Sequence, residues 1–369
     1  MNKKLHIVSF DVPYPPVYGG VIDVFYKLKA LSELGIEIYL HTFEYGTGRQ
    51  SELEKYCKNV YYYQRSSSLK RIFSKLPFIV NSRKNEILIQ NLKKIKAAIL
   101  FEGLHTTYPL LKHNFKDRKI LIRTHNIEHE YYFGLAKSDK LISKKIFFNI
   151  EALKLKYYQS ILKKADSILS ISPLEFKYFN KLFENKTVYI PVFHRNTQVK
   201  SLSKKGSFAL YHGDLRVSDN LKAAFFLIDI FNDLNYNLII AGNTLNKNLL
   251  RVINKTTNIS FEKLENNTKL ISLFKEAHIN ILPTFQKTGI KLKLINTLYN
   301  GRFCLVNNEM IAGTGLENLC LQANSKNEFR NQILDIANKE YLFKNTEKKE
   351  RLLKAFNNTI NANKIIDLL

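Results

Sequence analysis

Acidic residues are in short supply. The chain has 32 Asp and Glu against 57 Lys and Arg, a formal charge of +25 over 369 residues. A field of that sign favours anionic partners, whether nucleic acid, acidic lipid or a phosphorylated small molecule. Charge alone does not choose among them, and much of the lysine reads as ordinary solvated surface. No recognised nucleic-acid-binding motif accompanies it, so no nucleic acid partner is expected. Cysteine is scarce as well. Cys57, Cys304 and Cys320 show no CxxC spacing, which argues against a zinc site or a disulfide framework and fits a reducing, cytoplasmic setting. Cys304 sits in an apolar run and reads as a core thiol. No stretch reaches the ~18 consecutive apolar residues of a transmembrane helix, so any membrane contact is expected to be peripheral. Met1 to Lys4 is basic but leads straight into a strand pattern and then Asp11, unlike a signal peptide.

What is present is a folded chain of two domains. Hydrophobic residues make up 45% and aromatics 12%, enough for real cores, and the length suits two units of about 150 residues each. Leu5 to Phe10 reads as a strand, Asp11 to Gly20 as a Pro- and Gly-rich loop. Val21, Val24, Phe25, Leu28, Leu31 and Leu34 then recur at helical spacing until Gly35. Ile36 to Phe43 is the next strand, completing a β-loop-α-β unit, the seed of a parallel sheet. The alternation continues through strands at Ala97 to Phe101, Lys119 to Arg123, Ser167 to Ser170 and Thr187 to Ile190, with helices at Lys140 to Lys164 and Pro173 to Phe183. Arg195 to Gly206 is polar and without apolar period, and 193–206 is expected to link the domains. A second series follows, with strands at Phe208 to His212, Asn237 to Gly242, Ile259 to Glu262, Ile279 to Pro283 and Phe303 to Val306. The expected domains are 1–192 and 207–349, with a helical tail 350–369 packing back on the first. Two doubly wound halves imply ligands beyond the carboxyl ends of the strands, in a cleft between them.

Five segments carry candidate chemistry. In Pro283 to Gly301 a strand ends, a Gly-containing loop follows, and a helix starts near Lys291. A helix N-terminus presents unpaired N–H groups and partial positive charge, a ready anion site. Gly289 permits close backbone approach, and Lys291 and Lys293 add two cations. The plain alternative is a tight turn with two solvated lysines. Tyr211 to Asn220 ends a strand and leads into a helix, with Gly213 and Arg216 in its loop. Pro13 to Gly20 places Gly19 and Gly20 after the first strand. Arg123 to Tyr132 follows an apolar strand and carries His125, Asn126, Glu128 and His129. A metal held by His125 and His129 would need a third protein ligand; a structural strand-end histidine is the other rival reading. Ser68 to Val80 mixes Lys70, Arg71 and Lys75 with Phe73, Leu76 and Phe78. That mixture suits an anionic membrane surface, or equally a helix packed on the domain with a basic outer face.

The Pro283 to Gly301 segment resembles the donor-binding motif of retaining glycosyltransferases of family four. One branch carries Gly-x-Arg-x-Lys before a helix that closes on Gly, matched here by Gly289, Lys291, Lys293 and Gly301. The resemblance spans nearly the whole chain in element order. It implies the GT-B fold: α/β, two Rossmann-like doubly wound domains facing a central cleft. It also implies transfer of a sugar from a nucleotide-diphosphate sugar to a saccharide or lipid-linked saccharide, with retention of anomeric configuration. No cofactor or metal is implied; the nucleotide-sugar is a substrate. Thr288, Gly289, Ile290, Lys291, Lys293, Asn296, Gly20, Gly213 and Arg216 would contact the donor, Gly19, Asn126 and Glu128 would lie on the acceptor side, and His125 would be the catalytic-region histidine, matching a His-Asn-x-Glu stretch. The sequence departs from the family at two points. The two glutamates found eight residues apart in the family fall on Thr288 and Asn296, and the Arg and Lys of the family's Gly-x-Leu loop fall on Asp214 and Asp219. A GT-B epimerase or a degenerate, non-catalytic nucleotide-sugar-binding protein therefore stand as alternatives.

Overall fold

The computed structural model describes residues 3–66, 68–139, 141–200, 202–244, 246–265, 267–285 and 291–369. Two parallel sheets organise them. The first contains β1 (Lys4–Ser9), β2 (Glu37–Glu44), β3 (Asn59–Gln64), β4 (Ala98–Glu102), β5 (Ile120–Thr124), β6 (Ser167–Ser170) and β7 (Thr187–Tyr189), in the order β3-β2-β1-β4-β5-β6-β7. The second contains β8 (Phe208–His212), β9 (Leu238–Gly242), β10 (Ile259–Lys263), β11 (Ala277–Leu282), β12 (Phe303–Val306) and β13 (Leu321–Gln322), in the order β10-β9-β8-β11-β12-β13. Each sheet winds outward in both directions from a switch point, β1/β4 in the first and β8/β11 in the second.

The strand sequences explain the layering. Side chains alternate faces along a strand. Val8, Ile99, Phe101, Ile120 and Ile122 enter one core of the first unit, together with Leu155 and Leu162. Leu5, Ile7, Leu100 and Leu121 enter the core on the opposite face, with Val21, Val24 and Leu28 of the helix Gly19–Glu33. Both faces are covered, which is why these strands read as nearly continuous apolar runs. In the second unit Phe208, Leu210 and Ala241 pack with Leu270, Leu273 and Phe274.

The chain divides into two compact units, one comprising Met1–Arg195 and Ala355–Leu369, the other Asn196–Lys287 and Lys291–Lys354. The polar stretch 193–206 is shared between them. Phe193 and His194 are buried in the first unit, where the His194 amide donates to Asn358 Oδ1 at 3.2 Å. Lys200 donates its amide to the Tyr299 carbonyl at 2.8 Å, and Asn300 Nδ2 reaches Asn196 Oδ1 at 2.8 Å, in the second. Hydrogen bonds to residues far away in sequence, not an apolar period, hold this stretch. The tail divides too. The helix Phe343–Leu353 stays in the second unit, where Lys349 Nζ donates to the carbonyls of Gly301 and Arg302 at 2.6 and 2.7 Å. The helix Asn358–Ile366 seats Ala362 and Ile365 in the first unit's core.

Among the described residues no helix is long and apolar enough to cross a membrane. Ile365 is fully buried against the first helix's core. Ile365→Ala should lower stability by about 2–5 kcal/mol, the usual cost of emptying such a site, readable as a drop in denaturation midpoint.

Candidate functional site

Doubly wound sheets bind ligands beyond the carboxyl ends of their strands at the switch point. In the first unit that place is the end of β1 and β4, and a buried ion cluster lies there. Lys27 Nζ is 3.0 Å from Asp23 Oδ2 and 2.8 Å from Glu102 Oε1. Arg123 meets Asp23 through Nε at 3.1 Å and Nη2 at 2.9 Å, and also donates to the carbonyls of Ile190 and Pro191. The Phe193 amide donates to Asp23 Oδ1 at 2.8 Å. Burial alone would raise both carboxyls, but Arg123 and Lys27 hold Asp23 well below its usual range, and Lys27 and His125 hold Glu102 low. Two carboxylates thus face two cations with all four side chains out of water.

His125 is the outermost member. Its Nε2 lies 3.0 Å from Glu102 Oε2. An ionised carboxylate can only accept, so Nε2 carries the hydrogen and Nδ1 is left over. Nδ1 is buried without a hydrogen-bond partner. The imidazole stands edge-on to Phe10 at 5.3 Å, and His105 tilts against the same ring at 5.3 Å, its own Nδ1 also unpartnered. Burial, with Arg83 nearby, pushes His105 well below its usual value. Gly20 passes so close to Phe10 that a Cβ would stand 2.6 Å from the ring. Gly19 and Gly20 open a helix that has no side-chain cap, which leaves its first amides without an intrahelical partner.

Asn126 and Glu128 follow directly. Asn126 hydrogen-bonds Glu128, yet Asn126 Oδ1 and Glu128 Oε1 remain buried and unpartnered. Burial pushes Glu128 up to about 7, against the pull of Asn126 and Arg83. Arg83 is itself buried, donating to the Phe10 and Ile79 carbonyls at 2.8 Å each, and burial lowers it to about 9. Buried polar groups are nearly always paired. His105, His125, Asn126 and Glu128 each carry a buried polar atom without a partner.

His129 is not part of a metal pair with His125. It lies beside Tyr178 at 6.0 Å and hydrogen-bonds Gln159, whereas His125 turns to Glu102. Asp23, Glu102 and His125 do offer ligand atoms within 4.8 Å of one another. There the Lys27 ammonium already bonds both carboxylates, doing the work a cation would do.

In the second unit the switch point lies at the ends of β8 and β11. Lys293, in the first turn of the helix Leu292–Asn300, reaches across to Asn220 Oδ1 at 2.6 Å and lies 5.3 Å from the Tyr211 ring centre. Tyr211 in turn donates to the Asn220 carbonyl at 2.9 Å. Burial lowers Lys293 to about 8, with Asp219 opposing and Lys291 assisting. Burial and Lys293 together push His212 down to about 3, and its Nε2 meets Thr297 Oγ1 at 3.2 Å. Asp219 accepts from Thr284 Oγ1 at 2.7 Å and from the Phe285 amide at 3.0 Å, tying the loop after β11 to the helix Ser218–Phe231. Gly213 sits at the end of β8, where its carbonyl lies 2.9 Å from a Cβ built on Gly242.

The candidates therefore divide. Gly213, Lys293, Asn220 and Asp219 come together. Arg216 does not join them: its guanidinium is exposed and closes on Asp214 at 2.7 Å. Asn296 bonds Asn300 within its own helix, Oδ1 to Nδ2 at 3.1 Å. Lys291 caps that helix, its carbonyl accepting from the Leu294 and Ile295 amides. Thr288, Gly289 and Ile290 lie outside the described residues. Asp23, Lys27, Arg83, Glu102, His105 and Asn220 were missed. Glu102-Gly103 was the available signal, a charged residue closing a buried strand before a glycine held at φ 70°.

Two Rossmann-like parallel sheets in one chain define the GT-B glycosyltransferase fold, and solved structures agree. A glycosyltransferase from Rickettsia africae ESF-5 superposes with a TM-score of 0.65 at 16% identity, covering 100% of this chain and 97% of the other. The lipopolysaccharide outer core galactosyltransferase WaaB gives 0.67 at 13%, covering 99% and 100%. Medicago truncatula UGT71G1, complexed with UDP-glucose, gives 0.59 at 10%, covering 99% and 98%. In sequence the chain is 29% identical over 370 residues to an uncharacterized 44.6 kDa protein in cps region of Klebsiella pneumoniae, covering 92% of this chain and 89% of the relative. No family model matches the chain.

Glu128 gives a pH test. Its folded pKa, about 7, lies above the ordinary 4.5, so the native state holds a proton the unfolded chain has lost. Stability therefore falls as pH rises from about 4.5 through 7 and stays lower above, by about 3 kcal/mol. Glu128→Gln should melt higher than the parent at pH 8 and like it at pH 4.5. Parallel melting curves across that range would contradict the assignment.

Proposed function

We propose that the protein is a glycosyltransferase moving a sugar from a nucleotide-diphosphate sugar to a saccharide or lipid-linked saccharide, in cell-surface polysaccharide synthesis. The observation that carries this reading is Lys293. Its half-buried ammonium stands at the first turn of a helix whose N-terminus has no side-chain cap, near Gly213. A departing diphosphate needs cations and amides aimed in advance in a place poor in water. Lys293 and the amides at the start of that helix supply both. The nucleotide-sugar complex of UGT71G1, on the same fold, supports a donor of this class. The relative from a cps region supports the polysaccharide context.

His125 then serves the sugar or the acceptor. Glu102 fixes its Nε2–H, so Nδ1 is presented as an acceptor for a hydroxyl. Asn126 and Glu128 add two more acceptor oxygens on the same loop. In a reaction with retention a phosphate oxygen of the donor takes the acceptor proton, which would leave His125 to position the sugar. Thr288 and Asn296, in place of two carboxylates, leave the donor sugar and ribose to uncharged hydrogen bonds. Arg216, paired with Asp214, contributes to diphosphate binding only if that pair opens.

A thermal-shift screen against UDP-, GDP-, ADP- and CMP-linked sugars tests the donor, since a ligand that binds the native state raises its melting point. One nucleotide class should do so, and Lys293→Ala should abolish the shift and cut turnover by about 10²–10³-fold with little change in the unliganded melting point. Binding near pH 8 should also take up protons, because a diphosphate favours the ammonium form of Lys293; calorimetry in buffers of different ionisation enthalpy reads this. Turnover unchanged in Lys293→Ala would remove that residue from the mechanism. Sugar turnover without any acceptor would replace transfer by epimerisation.

A further inference from the structure

The helix Ile142–Tyr158 has two unlike faces. Glu151, Ala152, Leu155 and Tyr158 are buried, Leu155 and Tyr158 within the first unit's core. On the other side Ile142, Ile146, Ile150, Leu153 and Tyr157 are all exposed, Ile142 by 74% and Tyr157 by 80%. At 3.6 residues per turn these five fall within an arc of roughly 80°, a continuous stripe about 22 Å long. Isolated exposed apolar residues need no explanation, but a contiguous stripe of this kind marks a contact surface.

Neighbouring segments extend it. Lys154 Nζ donates to the Ile72 carbonyl at 2.6 Å, pinning the preceding segment to the helix. Phe73, next in the chain, is 91% exposed. Beside the stripe runs a groove of 680 Å³ whose lining includes Leu111, Ile150 and Leu153 with Lys75, Lys154 and Lys164. The basic segment Ser68 to Val80 is thus only partly outward. Arg71 turns in, bonding Ser66 Oγ at 2.8 Å and Asn81, and Phe78 stacks edge-on to Phe147 at 6.4 Å. The exposed apolar surface belongs mainly to the helix, seventy residues later in the chain.

Charge decides what covers it. The helix carries Lys144, Lys145, Lys154 and Lys156 and a single acid. That acid, Glu151, is fully buried, bonded to Lys154 at 2.8 Å and to the Phe78 amide at 2.6 Å. By helical projection Lys145 and Lys156 border the stripe on one side and Lys154 on the other. An apolar stripe flanked by lysines, with aromatic rings at its edge, matches the layer where acyl chains meet anionic headgroups.

We propose that this face, the stripe Ile142-Ile146-Ile150-Leu153-Tyr157 with Phe73, seats the protein on an anionic lipid bilayer. The helix lies in the plane of the interface, its apolar side chains among the upper acyl segments and its lysines against lipid phosphates. This goes beyond sugar transfer and stands without it.

Sedimentation with vesicles tests it on the full chain. Vesicles of phosphatidylcholine containing phosphatidylglycerol should carry the protein down, less so as salt is raised, and phosphatidylcholine alone should bind it poorly. Ile146→Ser with Ile150→Ser and Tyr157→Ser should lower binding to the anionic vesicles roughly tenfold or more, as should Lys145→Glu with Lys156→Glu. All five positions lie on one helix face away from its core side, and melting points near the parent's would show both variants folded. Nucleotide-sugar thermal shifts should be unchanged in both, which separates failure of this proposal from failure of the transferase reading. Equal binding to both vesicle types, no binding, or variants that bind like the parent would overturn it. So would a lipid-free dimer, seen by analytical ultracentrifugation, that the serine variant dissolves, since the stripe would then be a self-contact.

Discussion

The contact between Asp23, Lys27, Glu102 and Arg123 is the constraint on which the first unit depends. Each charge taken out of water costs several kcal/mol, and the pairs offset that cost only with good geometry and every remaining hydrogen bond made. Here the geometry is complete on one side: Asp23 takes Lys27, two guanidinium nitrogens and the Phe193 amide. The cluster joins the first helix, β4, β5 and the chain leaving β7. Such a group is weak evidence for extra stability, since an apolar set of equal volume often does as well. Its value is positional. It holds Glu102 ionised, Glu102 fixes one nitrogen of His125, and the other nitrogen is left for something else.

The two switch points are stocked differently. At the first, the unpaired atoms are hydrogen-bonding groups: two imidazole nitrogens, an amide oxygen and a carboxyl oxygen. At the second, the outstanding feature is a half-buried ammonium held by an asparagine. Groups of the first kind suit hydroxyls, and of the second kind suit phosphate. The two sheets share one design and differ in the residues just past their strand ends.

Much of the architecture was legible because buried parallel strands are short apolar runs and the helices between them keep their period. The last residues of each run, and Gly213 directly after one of them, mark the strand ends. The partners of those residues were not legible. Lys27 reads as one more lysine on a helix in a chain with many, and only the packing of Asp23 and Glu102 around it shows that it is buried. His105 lies within a 3-residue turn that follows Gly103 at φ 70°, a tertiary fact. Arg216 shows the converse: its loop position suggests a ligand contact, and the structure pairs its exposed guanidinium with Asp214, two residues away. Residues 68–80 supply Phe73 to the exposed apolar surface, but most of that surface lies on the helix Ile142–Tyr158, because exposure depends on which neighbour covers which side chain and composition carries no record of that.

The return of the chain end to the first unit has a consequence for biosynthesis. Ala362 and Ile365 complete a core begun by Leu5 and Ile7, so the first unit encloses the whole of the second along the polypeptide. A ribosome delivers residues in order, and the early unit therefore emerges with one flank of its interior bare until the final turns of helix appear. Through all of that interval the intervening unit can mature on its own, while its host waits.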